Sequence, residues 1–342
     1  MVMHKGYKTE LRVQGGKLPE RAIATSRVYN KLNTTHLISL DEFKEYLSHR
    51  SDKVKGYFPK RQISEINSAV YIMKKRFSTY VAPATNNQMV ALYKSNKARL
   101  AEMLNYFVDP MWAKMILVML QHDKSDQDVF SVIKSHLRYT DSLPAKMYRM
   151  SKITDAIYRT VNNKQSIDLL DVGIGNGNKT LQMKDMLNCR VSGADIPEWG
   201  PYKTKKFKFP YKSIQLSPYR IPYGDKSFDC ITLVLVLHHA NDIIAVINEC
   251  KRMLKPNGII AIVEHDTWSD DTNMLIDVQH RIYGDVYDEK TPYYGSYYNF
   301  YEWDIIFSKC GFTPVMMNYL TDDASNYQRY DIQYIAIYRV TQ

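Results

Sequence analysis

The sequence predicts an α/β protein: a doubly wound, mostly parallel sheet with a C-terminal antiparallel hairpin, plus a mostly helical N-terminal region. Three observations lead to this fold class. After residue 160, short apolar runs alternate with helical patterns, which is typical of a parallel sheet with helices on both faces. The first run stops at a cluster of glycines, as a buried strand does before a helix. The last two runs, residues 312–320 and 330–340, are joined by a polar loop without a helix, which indicates an antiparallel pair.

The N-terminal region divides into an arm and a helical domain. Residues 1–38 are polar and basic with little periodicity, and we expect a loosely ordered arm. Ser39 and Glu42 then have the spacing of a helix N-cap and its third helical position. Helical patterns continue to about residue 160, so we predict a basic helical domain over residues 39–139 and the α/β domain over residues 140–342. The clearest predicted helices cover residues 63–77, 89–93, 110–120 and 129–137, with loops at 81–87 and 122–126.

The α/β domain contains four predicted parallel strands before the hairpin. In such a sheet, ligands bind at the carboxyl ends of the strands, so polar residues there are candidates for a site. A Lys-Pro-Asn-Gly turn is expected between the last helix and the last of these strands. The strands are predicted at residues 166–172, 190–195, 228–237 and 259–264, and the helices at residues 179–187 and 243–254.

Composition excludes several classes of protein. Only four cysteines occur, far apart and without a CxxC pair, so a disulfide framework is not indicated and a reducing, cytoplasmic compartment is expected. No apolar run reaches the roughly 18 residues of a membrane helix. The N-terminus has no apolar signal core, so a secreted protein is not expected either. Neither HExxH nor a similar spacing is present, and no metal site is predicted.

The net charge of +10 belongs to the first third of the chain. Residues 1–110 hold 19 Lys and Arg against 9 Asp and Glu, whereas residues 111–342 hold 27 of each. This asymmetry suggests either a polyanion partner, such as nucleic acid or an acidic membrane surface, or a solvated basic face. RNA bound through residues 1–110 and 202–212 and a protein bound through the N-terminal domain are the expected partners. Residues 202–212 interleave five lysines with four aromatic residues, which suits either a single-stranded nucleic-acid track or a solvated loop. The lysine- and asparagine-rich character also suits a viral origin.

Glycines alternate at the end of the first predicted strand, in Asp171-Val-Gly173-Ile-Gly175-Asn-Gly177. Glycine lets a ligand approach the backbone closely, and the following helix offers free N–H groups to an anionic group. Asp195 ends the second strand, where a carboxylate is suited to bind both ribose hydroxyls of an adenosine moiety. The pattern therefore predicts a cofactor that contains a nucleoside.

Four further segments complete an ordered set of motifs: IPYGDKSFD at residues 221–229, LHHA at 237–240, ECKRMLKPNG at 249–258 and WDIIFSKCGF at 303–312. Together with the glycines, they resemble a class I S-adenosylmethionine-dependent methyltransferase, closest to the ubiquinone/menaquinone-biosynthesis type. The resemblance covers about residues 140–342, and residues 1–139 match no family by motif.

This resemblance implies S-adenosyl-L-methionine as the cofactor. In such enzymes the glycines cradle the methionine end, the first acidic residue supports the loop and the amino group, and the second binds the ribose. Ser217 departs from the family pattern, because an acidic residue often accepts the adenine amino group there and a hydroxyl is a weaker, neutral acceptor. The implied cofactor contacts are Asp171, Gly173, Gly175, Gly177, Asp195, Ile196, Ser217 and His238.

Methyl transfer to an acceptor depends mainly on holding the nucleophile in line with the methyl carbon. A base is required only if the nucleophile keeps a proton. His238 and His239 follow the predicted strand at residues 228–237, and the alternative for both is that they cap this strand and line the cofactor pocket. Residues 283–303 hold seven of the 27 tyrosines, which suits either stacking on a substrate ring or packing on the sheet. The candidate catalytic residues are His239, Glu264, His265 and Asp266.

The sequence thus predicts a methyltransferase whose substrate is RNA, at a cap, held by the basic N-terminal region. A small-molecule or lipid substrate is one alternative, because the most similar-looking family mostly methylates those. An inactive, methyltransferase-like RNA-binding or stimulatory subunit is the other.

Overall fold

The structure of the protein is a computed structural model. It describes Glu45 and residues 88–137, 143–161, 166–196, 207–216, 218–240, 242–267, 270–286, 295–320 and 332–341. Three sequence predictions lie outside this part of the chain: the arm at residues 1–38, the helices between 39 and 87 apart from Glu45, and the loop at 81–87. Ser217 also lies outside it.

The described residues include one seven-stranded sheet in the order β3-β2-β1-β4-β5-β7-β6. The first five strands are parallel, and β7 pairs antiparallel with both β5 and β6. The predicted fold class is confirmed. Because the order reverses between β1 and β4, a crevice for ligands is expected at their carboxyl ends. The strands are β1 (Asp168–Val172), β2 (Arg190–Asp195), β3 (Tyr211–Ser213), β4 (Phe228–Val234), β5 (Leu254–His265), β6 (Phe312–Tyr319) and β7 (Gln333–Val340).

Strand boundaries differ from the sequence prediction at several places, of which the end of β4 and the start of β5 matter for the site. β4 ends at Val234 because Leu235 adopts a φ of 58°, and Leu237–His239 then form a 3-10 turn. β5 begins at Leu254, so the residues predicted as a separate turn belong to the start of that strand. A short hairpin of Gln215–Leu216 and Tyr219–Arg220 stands beside the main sheet.

Eight helices lie in the described residues, and the predicted helices among them are confirmed. α3 begins three residues earlier than predicted, because Ser125 and Asp128 form a capping box there. α1 is kinked at Asn96, whose φ is −150°. The helices are α1 (Gln88–Phe107), α2 (Pro110–Gln121), α3 (Asp126–Ser135), α4 (Leu143–Thr160), α5 (Asn178–Leu187), α6 (Ile243–Met253), α7 (Asp270–Val286) and α8 (Phe300–Lys309). None of them is both long and apolar enough to cross a membrane.

Helices cover both faces of the sheet. Side chains of α6 and α8 pack on one face, and side chains of α4 and α5 pack on the other. This is why the parallel strands are apolar along almost their whole length rather than in alternation. All four cysteines are buried and form no disulfide.

A third hydrophobic cluster joins the N-terminal helices to a late helix. Buried residues of α1, α2 and α3 form one cluster with Met274, Leu275, Val278 and Ile282 of α7. Arg99 of α1 also donates a hydrogen bond to the hydroxyl of Thr272, at 3.3 Å. We call α1–α3 and α7 the cap. The boundary predicted near residue 140 remains a prediction, but helices from both sides of it share this core.

Candidate active site

The glycine loop, residues 173–177, joins β1 to α5 in a conformation that favours glycine. Gly173, Gly175 and Gly177 have φ angles of 78°, 54° and 75°, a region that side chains with a Cβ rarely adopt. The backbone N–H of Gly173 donates to the carbonyl of Ala194, at 2.7 Å, so the loop is attached to the end of β2. The N-terminal N–H groups of α5 follow directly and suit an anionic group.

Asp171 holds this loop in place from beneath. Its two carboxylate oxygens accept hydrogen bonds from Thr180 of α5, at 2.6 Å, and from Thr232 of β4, at 2.8 Å. Burial raises the pKa of Asp171. These bonds fit the predicted support of the loop, whereas its contact with a cofactor amino group remains a prediction.

Asp195 lies against the glycine loop, as the sequence predicted. Its Oδ2 accepts a hydrogen bond from the N–H of Gly175, and its Oδ1 from the N–H of Ile196, both at 2.8 Å. Each carboxylate oxygen has a second lone pair, so both can accept a further bond from a ribose hydroxyl. The two predicted parts of a nucleoside site are therefore adjacent.

Aromatic residues of the lysine-rich segment pack beside the same loop. A Cβ at Gly177 would lie 2.8 Å from the ring of Phe207, and one at Gly193 would lie 2.7 Å from the ring of Phe209. Phe207 also contacts Tyr211, with ring centroids 5.1 Å apart. The described part of the segment therefore packs on the protein, and nucleic-acid binding by residues 202–212 remains a prediction.

Four histidines meet at the carboxyl ends of β4 and β5, and we call them the histidine cluster: His238, His239, His265 and His280. The ring centroid of His238 lies 3.8 Å from that of His239, 5.3 Å from that of His265 and 5.2 Å from that of His280. His238 and His239 follow β4, His265 ends β5, and His280 comes from α7 of the cap.

Glu264 orients the first of these histidines. Its carboxylate accepts a hydrogen bond from Nδ1 of His238 and another, at 2.9 Å, from the backbone N–H of Leu237. Side chains of His238 and Glu264 are both only 1% exposed. Glu264, predicted as a catalytic residue, therefore has both oxygens engaged in positioning His238 and the turn after β4.

His265 and Asp266 are neighbours with different surroundings. Neither ring nitrogen of His265 has a hydrogen-bond partner among the described residues. The carboxylate of Asp266 accepts bonds from the N–H of Phe300, at 3.3 Å, and from the hydroxyl of Tyr319, at 2.8 Å. Asp266 thus attaches α8 and β6 to the end of β5, and its predicted catalytic role remains a prediction.

Sequence reasoning missed His280 and Asp277, which lie one turn apart on α7. The hydroxyl of Tyr297 is 2.9 Å from Nδ1 of His280 and donates to the carboxylate of Asp277, at 2.8 Å. A Cβ at Gly295 would overlap the Tyr297 ring, so glycine is needed there. Gly295 and Tyr297 belong to the tyrosine-rich segment 283–303, but Asp277 and His280 lie before it, and their i, i+3 spacing was the available signal.

Comparison with known proteins places this arrangement in a family. Residues 170–262 match the family described as "Methyltransferase domain". Residues 170–262 therefore carry a methyltransferase domain. The chain is 30% identical over 107 residues to a sterol 24-C-methyltransferase of Gibberella zeae, covering 30% of this chain and 28% of that protein. It is 26% identical over 113 residues to a demethylmenaquinone methyltransferase of Staphylococcus epidermidis, covering 32% of this chain and 47% of that protein.

The chain thus spans less than half the length of these two curated relatives. A solved structure with a similar fold is the 1,6-didemethyltoxoflavin-N1-methyltransferase of Burkholderia thailandensis, with bound 1,6-didemethyltoxoflavin and S-adenosylhomocysteine. Its TM-score is 0.41 and its identity 14%, and the match covers 57% of this chain and 79% of that chain. RNA binding, a cytoplasmic location and a viral origin have no counterpart in these three comparisons and remain predictions.

The resemblance implies S-adenosylmethionine as the cofactor, and the residues present fit it. The positive φ angles of the glycine loop, the N-terminus of α5 and the carboxylate of Asp195 beside Gly175 lie together at the ends of β1 and β2. The methyltransferase motif at residues 249–258 has a structural role: Glu249 accepts from the N–H of Ile221 and from Arg252, both at 2.8 Å. These bonds hold the segment that follows the short hairpin.

Three members of the histidine cluster have pKa values below the usual range of histidine. Burial lowers the pKa of His239, His265 and His280, and the neighbouring His238 lowers each of them further. A neutral imidazole keeps a lone pair that can accept a proton or bind a metal ion. The carboxyl edge of the sheet therefore has a cofactor end at β1 and β2 and an imidazole-rich end at β4 and β5.

Proposed function

We propose that the protein transfers a methyl group from S-adenosylmethionine to a small, ring-containing molecule bound at the histidine cluster beneath the cap. The observation that carries this proposal is the burial of the cluster: His238, His239 and His265 are each less than 5% exposed. A site this enclosed favours a small molecule over a polymer. The names of the sterol and demethylmenaquinone methyltransferases agree with this substrate class.

Aromatic rings next to the histidines favour a flat acceptor. The centroid of the Tyr297 ring lies 5.5 Å from that of His238 and 6.1 Å from that of His280. Rings at such spacings stabilise another ring by stacking or edge contacts. We therefore expect an acceptor that combines an aromatic or quinone-like ring with the nucleophilic atom.

In the proposed reaction, one end of the sheet binds the methyl donor and the other end binds the acceptor. The cofactor, when bound, supplies an electrophilic methyl group whose leaving thioether needs no acid. Asp195 and the glycine loop hold the donor, and the histidine cluster with Tyr297 orients the acceptor, since rate depends mainly on in-line positioning. Where the acceptor atom carries a proton, neutral His239 or His265 can accept it.

RNA is the second candidate substrate because of the charge of the N-terminal region. Residues 1–87 hold 16 Lys and Arg against 7 Asp and Glu, and such a region binds polyanions in a salt-dependent way. Residues 88–110, by contrast, hold three Lys and Arg against two Asp and Glu. The charge that favours RNA thus belongs to residues away from the histidine cluster in sequence.

A labelled methyl-transfer assay tests the proposal. The full chain is incubated with S-adenosylmethionine that carries a radiolabelled methyl group and with capped RNA, uncapped RNA, a small-molecule extract or a lipid extract. We expect label in the small-molecule or lipid fraction, with little change between low and high salt, and none with Asp195→Ala. Label in RNA that falls steeply with salt would transfer the assignment to RNA. Cofactor binding without label in any fraction would favour the inactive stimulatory subunit.

A further inference from the structure

Three members of the histidine cluster have the arrangement of metal ligands. We propose that His238, His265 and His280 together bind a divalent transition-metal ion of the zinc type. Each residue offers one ring nitrogen, and these three atoms lie within 4.8 Å of one another. Imidazole is a preferred ligand of zinc and its neighbours. Three histidines with one open position are a ligand set found in catalytic zinc sites.

The separation of the nitrogens is close to what an ion requires. With zinc–nitrogen bonds of about 2.1 Å and tetrahedral angles, the three nitrogens would be about 3.4 Å apart. Two nitrogens at the full 4.8 Å would therefore approach one another by about 1.4 Å on binding the ion. The three histidines come from the turn after β4, the end of β5 and α7, so no contiguous sequence motif indicates the site.

The second ring nitrogen of two of these histidines is already bound by an orienting group. Nδ1 of His238 bonds to Glu264, and Nδ1 of His280 bonds to the hydroxyl of Tyr297, which in turn bonds to Asp277. Metal-binding histidines use such partners to fix the tautomer and the direction of the ring. In both residues the proposed ligand atom is Nε2, the ring nitrogen that does not face this partner.

Buried nitrogens at this place lack other partners. Nε2 of His238 and both ring nitrogens of His265 have no hydrogen-bond partner among the described residues, although both side chains are buried. A buried polar atom without a partner is costly, and a bound ion would satisfy one nitrogen on each ring. The Glu264 carboxylate supplies negative charge next to the ion.

The proposed ion would connect the cap to the sheet. His280 lies on α7, whose apolar residues pack against α1–α3, whereas His238 and His265 belong to the ends of β4 and β5. An ion shared among them would fix α7 over the acceptor end and leave one position for water or an acceptor oxygen. This inference concerns metal binding and does not depend on methyl transfer.

A metal titration tests the inference. The full chain is stripped with a chelator, dialysed, and titrated with Zn²⁺ alone by calorimetry and with Co²⁺ alone by visible absorption. We expect one tight site per chain and the intense cobalt bands of a four-coordinate site. His280→Ala should weaken binding at least 100-fold, Tyr297→Phe about tenfold because it removes only an orienting partner, and the exposed His122→Ala should leave binding unchanged.

Two controls keep the test decisive. Thermal unfolding and titration with S-adenosylmethionine show whether His280→Ala is folded and retains its cofactor site, and Tyr297→Phe serves if it is not. Equal Zn²⁺ affinity in the wild type, His280→Ala and Tyr297→Phe would overturn the inference, and so would failure of the folded wild type to bind one equivalent. Loss of methyl transfer with intact metal binding would instead count against the proposed function.

Discussion

The two ends of the carboxyl edge of the sheet are built in different ways. At the cofactor end, Asp171, the glycine loop and Asp195 lie within 25 consecutive residues, and Asp195 accepts a hydrogen bond directly from the loop. At the histidine end, the four imidazoles come from three separate segments and meet only through the packing of α7. A contiguous site can be recognised in the sequence as a motif, whereas a site built from distant segments can be recognised only once the fold is known. The comparison predicts that substitutions at one end spare the function of the other.

Of three substitutions that compare the two ends, Gly177→Ala at the cofactor end is expected to have the largest effect. Its φ of 75° strains any residue with a Cβ, and that Cβ would lie 2.8 Å from Phe207. Strain of about 1–3 kcal/mol at such positions, together with the clash, predicts about 100-fold weaker binding of S-adenosylmethionine. Calorimetric titration with S-adenosylmethionine measures this loss of cofactor affinity, and the affinity for Zn²⁺ should not change.

A double variant separates the two causes. Phe207→Ala with Gly177→Ala removes the clash and keeps the strain, so part of the affinity should return. Wild-type affinity in Gly177→Ala alone would show that the loop does not need its left-handed conformation.

A smaller effect is expected from Glu264→Gln at the histidine end. Glutamine has one acceptor oxygen, so it cannot accept from both His238 and Leu237 as the carboxylate does. His238 then loses its fixed orientation, and the rate of methyl transfer should fall about tenfold while cofactor affinity stays the same. Radiolabel transfer and cofactor titration measure the two quantities.

The matched control for that variant is Glu102→Gln, an exposed position on α1. It should change neither quantity. A parallel loss of cofactor affinity in Glu264→Gln would mean that the two ends are not separable.

The smallest effect on activity is expected from Leu275→Ala in the cap. Leu275 is fully buried between α7 and α1–α3, and such truncations cost about 2–5 kcal/mol of stability. Looser packing of α7 should lower methyl transfer a few-fold through His280 and leave cofactor affinity intact. Chemical denaturation and the transfer assay test this, with Leu169→Ala in the sheet core as the comparison.

The sheet was predictable because its physical signals are local. Apolar runs, the glycine loop and the caps of helices depend on neighbours in sequence, and their order gave the strands and the cofactor end. The end of β4 was misjudged because β5, distant in sequence, holds the turn that follows: the N–H of Leu235 donates to the carbonyl of Val263 and the N–H of Leu237 donates to Glu264.

The histidine end was only half predictable for a similar reason. His238, His239 and His265 were candidates because they follow strands, but His280 and Asp277 looked like ordinary positions of an amphipathic helix. Their role depends on where α7 lies, and α7 is positioned by packing against helices more than 130 residues earlier in the chain. No local pattern contains that information.

Titration of the full chain with S-adenosylmethionine tests the central claim most directly, because every assignment depends on a working cofactor end. We predict one binding site in the wild type and the same affinity in Asp185→Ala, an exposed position on α5. Asp195→Ala should bind at least about 100-fold more weakly, since it loses a charged acceptor of two hydrogen bonds. Equal affinity in wild type and Asp195→Ala, or no binding by the wild type, would contradict the account.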